Sequence, residues 1–195
     1  MSEVRKTATN HIEALFTLTV VYYQQGQLHA ASVNANVIHT PSLADNNLRN
    51  IIHPRDPTCS RLQLPVGDKV GLTKTGVHYC RLPPGTTSTA LHWHSHEDEW
   101  AYIVDAGRDC FLLTHDEGTN ETKEVPLTTG DFLAFPAGTK VAHGFRTGKD
   151  SLVYLMGGSR ESMDICHYPE IGQRLIIDRN GENWLVDEQH VKTQG

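Results

Sequence analysis

Three imidazoles stand close together in the stretch HWHSHEDEW, His92 to Trp100, which also carries Glu97, Asp98 and Glu99. In an extended strand side chains repeat every two residues, so His92 and His94 share one face. If residues 95–98 reverse the chain, Glu99 returns beside that face from the next strand and adds a carboxylate. Imidazole nitrogens and a carboxylate oxygen are donors for a first-row divalent metal. The pair alone is a weak signal. With 12 histidines in 195 residues, about 0.7 His-x-His pairs arise by chance.

A fourth donor is offered by the stretch Gly130 to His143, GDFLAFPAGTKVAH. It reads as a turn at Gly130-Asp131, a buried strand, a second turn at Pro136-Ala137-Gly138, and His143 at the start of a new strand. A histidine carried behind a Pro-Gly turn is held by a rigid element, as closely fixed ligand geometry requires. Other residues compete for these roles. His96 could pair with His94, but only two residues would then separate it from Glu99, which is tight for a reversal; it is placed at the rim, with ligation as the alternative. Glu97 and Asp98 read as solvated turn residues, and His115, beside Asp116 and Glu117, as exposed. His29, His39 and His53 read as surface or packing histidines, while His78 and His167 are left unplaced near a barrel mouth.

The elements that must position these residues are strands. From residue 70 onward, short apolar or alternating runs such as GVHYCRL, EWAYIVDAG, DCFLLTH and SLVYLMGG are separated by turn signals, and no helical period lasts three turns. Many short strands at regular spacing predict an all-β jelly roll, sandwich or small barrel. By alternation from Glu99, Ala101 and Ile103 point inward and make that wall of the cavity apolar. Residues 28–65 are Asn-rich and punctuated by proline, which predicts irregular structure or short edge strands. RLIID near the C-terminus predicts one further strand.

Composition narrows the function classes. A hydrophobic fraction of 38% and a formal charge of −6 describe an ordinary, mildly acidic protein without the basic excess that nucleic acid or anionic lipid would demand. The four cysteines lack CxxC spacing and read as free, packed thiols in a reducing compartment, so a cytoplasmic location is expected. The apolar run of residues 14–23 is too short to span a bilayer and lacks a small-residue cleavage site; a strand or arm is expected there. No phosphate-cradling loop, nucleophile elbow or dinucleotide fingerprint is present.

With both stretches in view, the chain resembles the cupins, barrels of six to eight strands defined by two motifs. Gly85, His92, His94, Glu99 and Gly107 match the first motif, and Gly130, Pro136, Gly138 and His143 the second. The resemblance covers about residues 65–170. It looks closest to a broad single-domain cupin group sharing GLT-x-x-GV, RLPPG, HWHSHEDE and FPAG. It implies a double-stranded β-helix with N- and C-terminal arms, and His92, His94, Glu99 and His143 as ligands of one divalent metal: Fe, Mn, Ni, Co or Zn. The first-motif spacings are each one residue longer than usual, and four residues separate Gly138 from His143 where two are usual, differences that loops absorb. An asparagine often found four residues after the last histidine is Thr147 here, which puts a neighbouring strand contact in question.

The expected organisation is an arm over residues 1–27, a single cupin domain over 28–178 and a tail over 179–195. The expected function is metal-dependent chemistry on a small organic molecule, of dioxygenase or isomerase/lyase type. Two alternatives stand beside it: a non-enzymatic cupin that senses or carries a small ligand, and a purely structural metal or storage barrel. A homodimer is expected as a feature of such barrels, with the apolar run of residues 14–23 as a candidate contact.

Overall fold

The computed structural model describes residues 17–24, 27–34 and 37–192, the first two segments by their backbone alone. β1 (Thr17–Gln24) and β2 (Gln27–Asn34) form an antiparallel hairpin in continuous register from Thr17↔Asn34 to Gln24↔Gln27. Residues 17–23 of the apolar run thus lie in a strand, as its Thr, Val and Tyr content favours; residues 14–16 lie outside the described residues. The chain divides into two compact units after Ser42.

The second unit begins with β3 (Arg49–Ile52) and β4 (Ser60–Leu64), then a single-turn helix, α1 (Val66–Lys69). β5 (Thr75–Leu82), β6 (Trp93–His94), β7 (Glu99–Ala106) and β8 (Cys110–Asp116) follow. Next come β9 (Glu121–Pro126), β10 (Phe132–Phe135), β11 (Val141–Thr147) and β12 (Leu152–Ser159). β13 (Met163–Tyr168), β14 (Gln173–Asp178) and β15 (Trp184–Asp187) complete it. They build antiparallel sheets ordered β10-β7-β12-β5-β4-β3, β11-β8-β9 and β15-β14-β13-β6. RLIID lies in β14, and β15, from the segment after residue 178, pairs with it. Among the described residues no helix is long and apolar enough to cross a membrane.

The fold is nearly all β, an antiparallel jelly roll. Its main core lies between the six-stranded and three-stranded sheets, with Leu82, Ile103, Leu152 and Tyr154 against Cys110 and Phe145. Alternation along β7 produces this partition: Ala101 and Ile103 are 1% and 0% exposed, while Tyr102 and Val104 between and beyond them face outward at 42% and 39%. Full burial of a side chain such as Ile103 stabilises the fold by roughly 1.5–3 kcal/mol. Register then sets the inner face. Cys80, Tyr154 and Ile103 form one row across β5, β12 and β7; His78, Met156 and Ala101 form the next; Gly158 lies opposite Glu99, which in turn pairs with Phe135.

Candidate metal centre

His94 sits in the two-residue strand β6, where it pairs with Cys166 of β13. His92 precedes β6 and is fixed by an isolated bridge to His143, whose backbone amide donates to the His92 carbonyl at 2.9 Å. Glu99 opens β7, after residues 95–98 have turned the chain. The loops of the two stretches are tied together: Gly138 N donates to the His94 carbonyl at 2.8 Å, and Ala137 N to the Asp98 carboxylate at 2.8 Å. Gly138 has φ +73°, a left-handed conformation that favours glycine.

All three ring Nε2 atoms converge on a single carboxylate oxygen. His143 Nε2 lies 3.0 Å from Glu99 Oε2, His94 Nε2 at 3.6 Å and His92 Nε2 at 3.8 Å. His92, Glu99 and His143 each present one donor atom within 4.8 Å of the others. His94 forms a second such group with His92 and the Cys166 thiol. His92 Nδ1 lies 3.0 Å from the Ala90 carbonyl. A carbonyl only accepts, so Nδ1 carries the proton and Nε2 a lone pair. His94 Nδ1 likewise meets the Asp164 carboxylate. The His143 ring stacks on Phe135, centroids 3.6 Å apart and planes at 2°; its Nδ1 is buried without a partner among the described residues.

Burial and neighbouring charges act differently on each of these groups. Burial pushes His92 down to about 3, which keeps the ring neutral and its lone pair turned toward the Glu99 anion. Burial opposes the charge of His94, yet the Asp164 carboxylate outweighs it and raises the imidazole to about 11. Burial also opposes ionisation of Glu99, but the His143 hydrogen bond and the neighbouring imidazoles hold its carboxyl well below the usual range. An acceptor nitrogen facing an anion is stable when a positive charge sits between them, as one divalent ion bound by both provides. With donor bonds near 2.0–2.2 Å, neighbouring ligand atoms stand roughly 3 to 3.5 Å apart, close to the spacing seen.

Several residues sit elsewhere than their local sequence suggests. Glu97 is 6% exposed and buried against Arg179, whose Nη2 lies at 2.5 Å, and it also accepts from Glu161 N at 3.0 Å. It is therefore a paired internal charge and not a solvated turn residue. Asp98 and His96 are exposed as expected; His115 is half buried, Nδ1 3.1 Å from Thr122 Oγ1. His53 packs on Tyr168 and accepts backbone bonds from Arg55 and Asp56, while His39 is exposed. His167 stacks on Trp93 and does not reach the cavity. Thr147 keeps the strand contact through its hydroxyl, which donates to the Pro83 carbonyl and accepts from Thr86 N.

His92, Glu99 and His143 border a cavity of about 220 Å³ that also exposes Arg61, His78, Thr89 and Met156. Ala101 lines it, whereas Ile103 lies beneath in the core. The inner wall is thus mixed: Arg61 and His78 from β4 and β5 bring polar groups to a face on which β7 places Glu99 beside the apolar Ala101.

Comparison with known proteins agrees with this architecture. A family model described as a cupin domain matches residues 78–157. A sugar phosphate isomerase candidate from Acidithiobacillus ferrooxidans is 31% identical, with 75% of this chain and 88% of that one aligned and a TM-score of 0.65. This chain belongs to the cupin superfamily. A second cupin, a sugar phosphate isomerase from Silicibacter pomeroyi, aligns over 79% of this chain and 97% of that one at 24% identity and a TM-score of 0.59, and so shares the fold. No curated protein matches the sequence. Arg61, which lines the cavity, and Asp164, which holds His94 from behind, are the residues that local motif reading misses, because each is brought in by strand pairing from outside the two motifs.

Proposed function

We propose that this cupin is a metal-dependent enzyme of isomerase or lyase type acting on a small, hydroxylated organic molecule. The observation that carries the reading is the convergence of His92, His94 and His143 Nε2 on Glu99 Oε2 beside a small, partly polar cavity. A bound divalent ion supplies a Lewis acid that polarises a carbonyl or hydroxyl oxygen. His92, His94, Glu99 and His143 would hold it, and Asp164 and the Ala90 carbonyl orient two of the rings from behind. The cavity volume falls below the roughly 300–1,000 Å³ typical of drug-sized ligands, which favours a short substrate. The Acidithiobacillus relative, with its isomerase description, points the same way.

The first test is metal analysis of protein purified without chelator, beside His92→Ala and His143→Ala. Near-stoichiometric metal in the wild type and loss in both variants is expected; unchanged content in both removes the assigned site. Reaction type is read by NMR in D2O, as solvent deuterium entering C–H positions of hydroxyketones and sugar phosphates. Oxygen uptake with Fe(II) in place of exchange would indicate the dioxygenase alternative. Ligand binding without turnover under any of the five metals would indicate a carrier or sensor.

A further inference from the structure

Arg61 differs from the other half-buried arginines. Arg81, Arg146, Arg160 and Arg174 each meet a carboxylate. Arg61, which borders the cavity, forms no ion pair among the described residues. Its Nε donates to Gln63 Oε1 at 2.7 Å and its Nη1 to the Ser88 carbonyl at 3.2 Å, both neutral acceptors. Arginine stays charged at any ordinary pH, and a partly desolvated cation without a counter-charge is unfavourable unless a ligand supplies one.

Gln63 links this cation to His78. Arg61 Nε can only donate, so the oxygen of the Gln63 amide faces it, and the amide nitrogen faces His78 Nδ1 at 2.8 Å. That nitrogen can only donate, which makes Nδ1 an acceptor and places the ring proton on Nε2. Burial holds His78 below its ordinary value, consistent with a neutral ring. Register sets His78 opposite Met156, which faces Ala101, one inward position along the strand from Glu99. Arg61 and His78 border the same small cavity as His92, Glu99 and His143.

We propose that Arg61 and His78, locked by Gln63, form an anion subsite that takes the carboxylate or phosphate end of the substrate. The acid would be short and hydroxylated, with its reacting end toward Glu99. This deepens the metal-dependent reading and rests on it for the reacting end, while the subsite depends on its own residues.

The test uses the full-length protein, stripped of metal, in calorimetric titrations with glycolate and glycerol phosphate and with their neutral counterparts ethylene glycol and glycerol. The wild type is expected to bind at least one anion ten-fold or more tightly than its counterpart. Tighter glycolate assigns a carboxylate, tighter glycerol phosphate a phosphate. Arg61→Met should abolish the preference, and Gln63→Leu should reduce it several-fold; circular dichroism checks that each folds. If Arg61→Met fails to fold, Arg61→Lys, which retains charge without the planar fork, joins Gln63→Leu as the deciding pair. No preference in the wild type, or full preference in the folded variants, overturns the subsite. Metal uptake on reloading separates the two readings: preference without uptake removes the metal site and keeps the subsite, whereas uptake without preference removes the subsite alone.

Discussion

Asp164 grips His94 from behind the cavity: one carboxylate oxygen accepts from His94 Nδ1 and the other from the His96 backbone amide at 2.8 Å. The aspartate is 0% exposed, so protein donors, these two among them, take the place of water around its charge. It fixes the ring orientation and leaves Nε2 directed at Glu99. Such outer carboxylates also raise the basicity of a ligating imidazole.

Asp164→Asn is therefore expected to weaken metal affinity by about 10–100-fold while the protein still folds. Competition with a calibrated chelator reads this directly. Affinity equal to that of the wild type would remove Asp164 from the centre.

Gly158 sets how closely β12 approaches the start of β7. A Cβ built there would lie 2.6 Å from the Asp98 carbonyl oxygen and 3.2 Å from Glu99 Cγ. Gly158→Ala must push back the strand that delivers Glu99. A loss of about 1–3 kcal/mol in urea unfolding is expected, together with reduced metal stoichiometry. An unchanged midpoint would show that the two strands separate freely at this point.

What could be read in the sequence follows from how locally each feature is encoded. Alternation in EWAYIVDA specifies its inward residues, and the turns at Gly130 and Gly138 bracket the strand before His143. The positions of His92, His94, Glu99 and His143 follow from their spacing within short, punctuated stretches. Asp164 stands 70 residues from His94, and its role appears only when β13 pairs with β6. Glu97 looks solvated in isolation because its partner, Arg179, returns from beyond β14. Arg61 and His78 lack any local mark, since it is the β4–β5–β12 register that brings them to the cavity. Long-range pairing was the hidden variable in each case.

Thr147 offers a test of one such long-range contact. Its buried hydroxyl donates to the Pro83 carbonyl at 2.5 Å and accepts from Thr86 N at 3.1 Å. Thr147→Val keeps the shape and strands both partners, so a loss of about 1–3 kcal/mol is expected, with Thr147→Ser much milder. Thermal unfolding of the pair checks it. Equal losses in the two variants would assign the effect to the methyl group and its packing.

His167 makes stability depend on pH. Its ring stacks on Trp93, centroids 3.7 Å apart, and its Nε2 lies 2.8 Å from Ser95 Oγ. Burial, aided by the Arg174 charge, lowers it to about 4. Because the folded value lies below the unfolded one, near 6.5, the unfolded chain takes up the proton first on acidification. The contribution is complete above pH 6.5 and disappears as pH falls through about 4. It amounts to roughly 3 kcal/mol, and the neutral, buried His92 acts in the same direction. Urea unfolding of metal-stripped protein between pH 7 and 4 should therefore show falling stability. His167→Phe retains a stacking ring but cannot titrate, so its curve should be flatter even if its stability at pH 7 is lower. Parallel curves for the two proteins would mean that His167 keeps its ordinary affinity for the proton in the fold, and that the acid sensitivity arises at His92 and its neighbours.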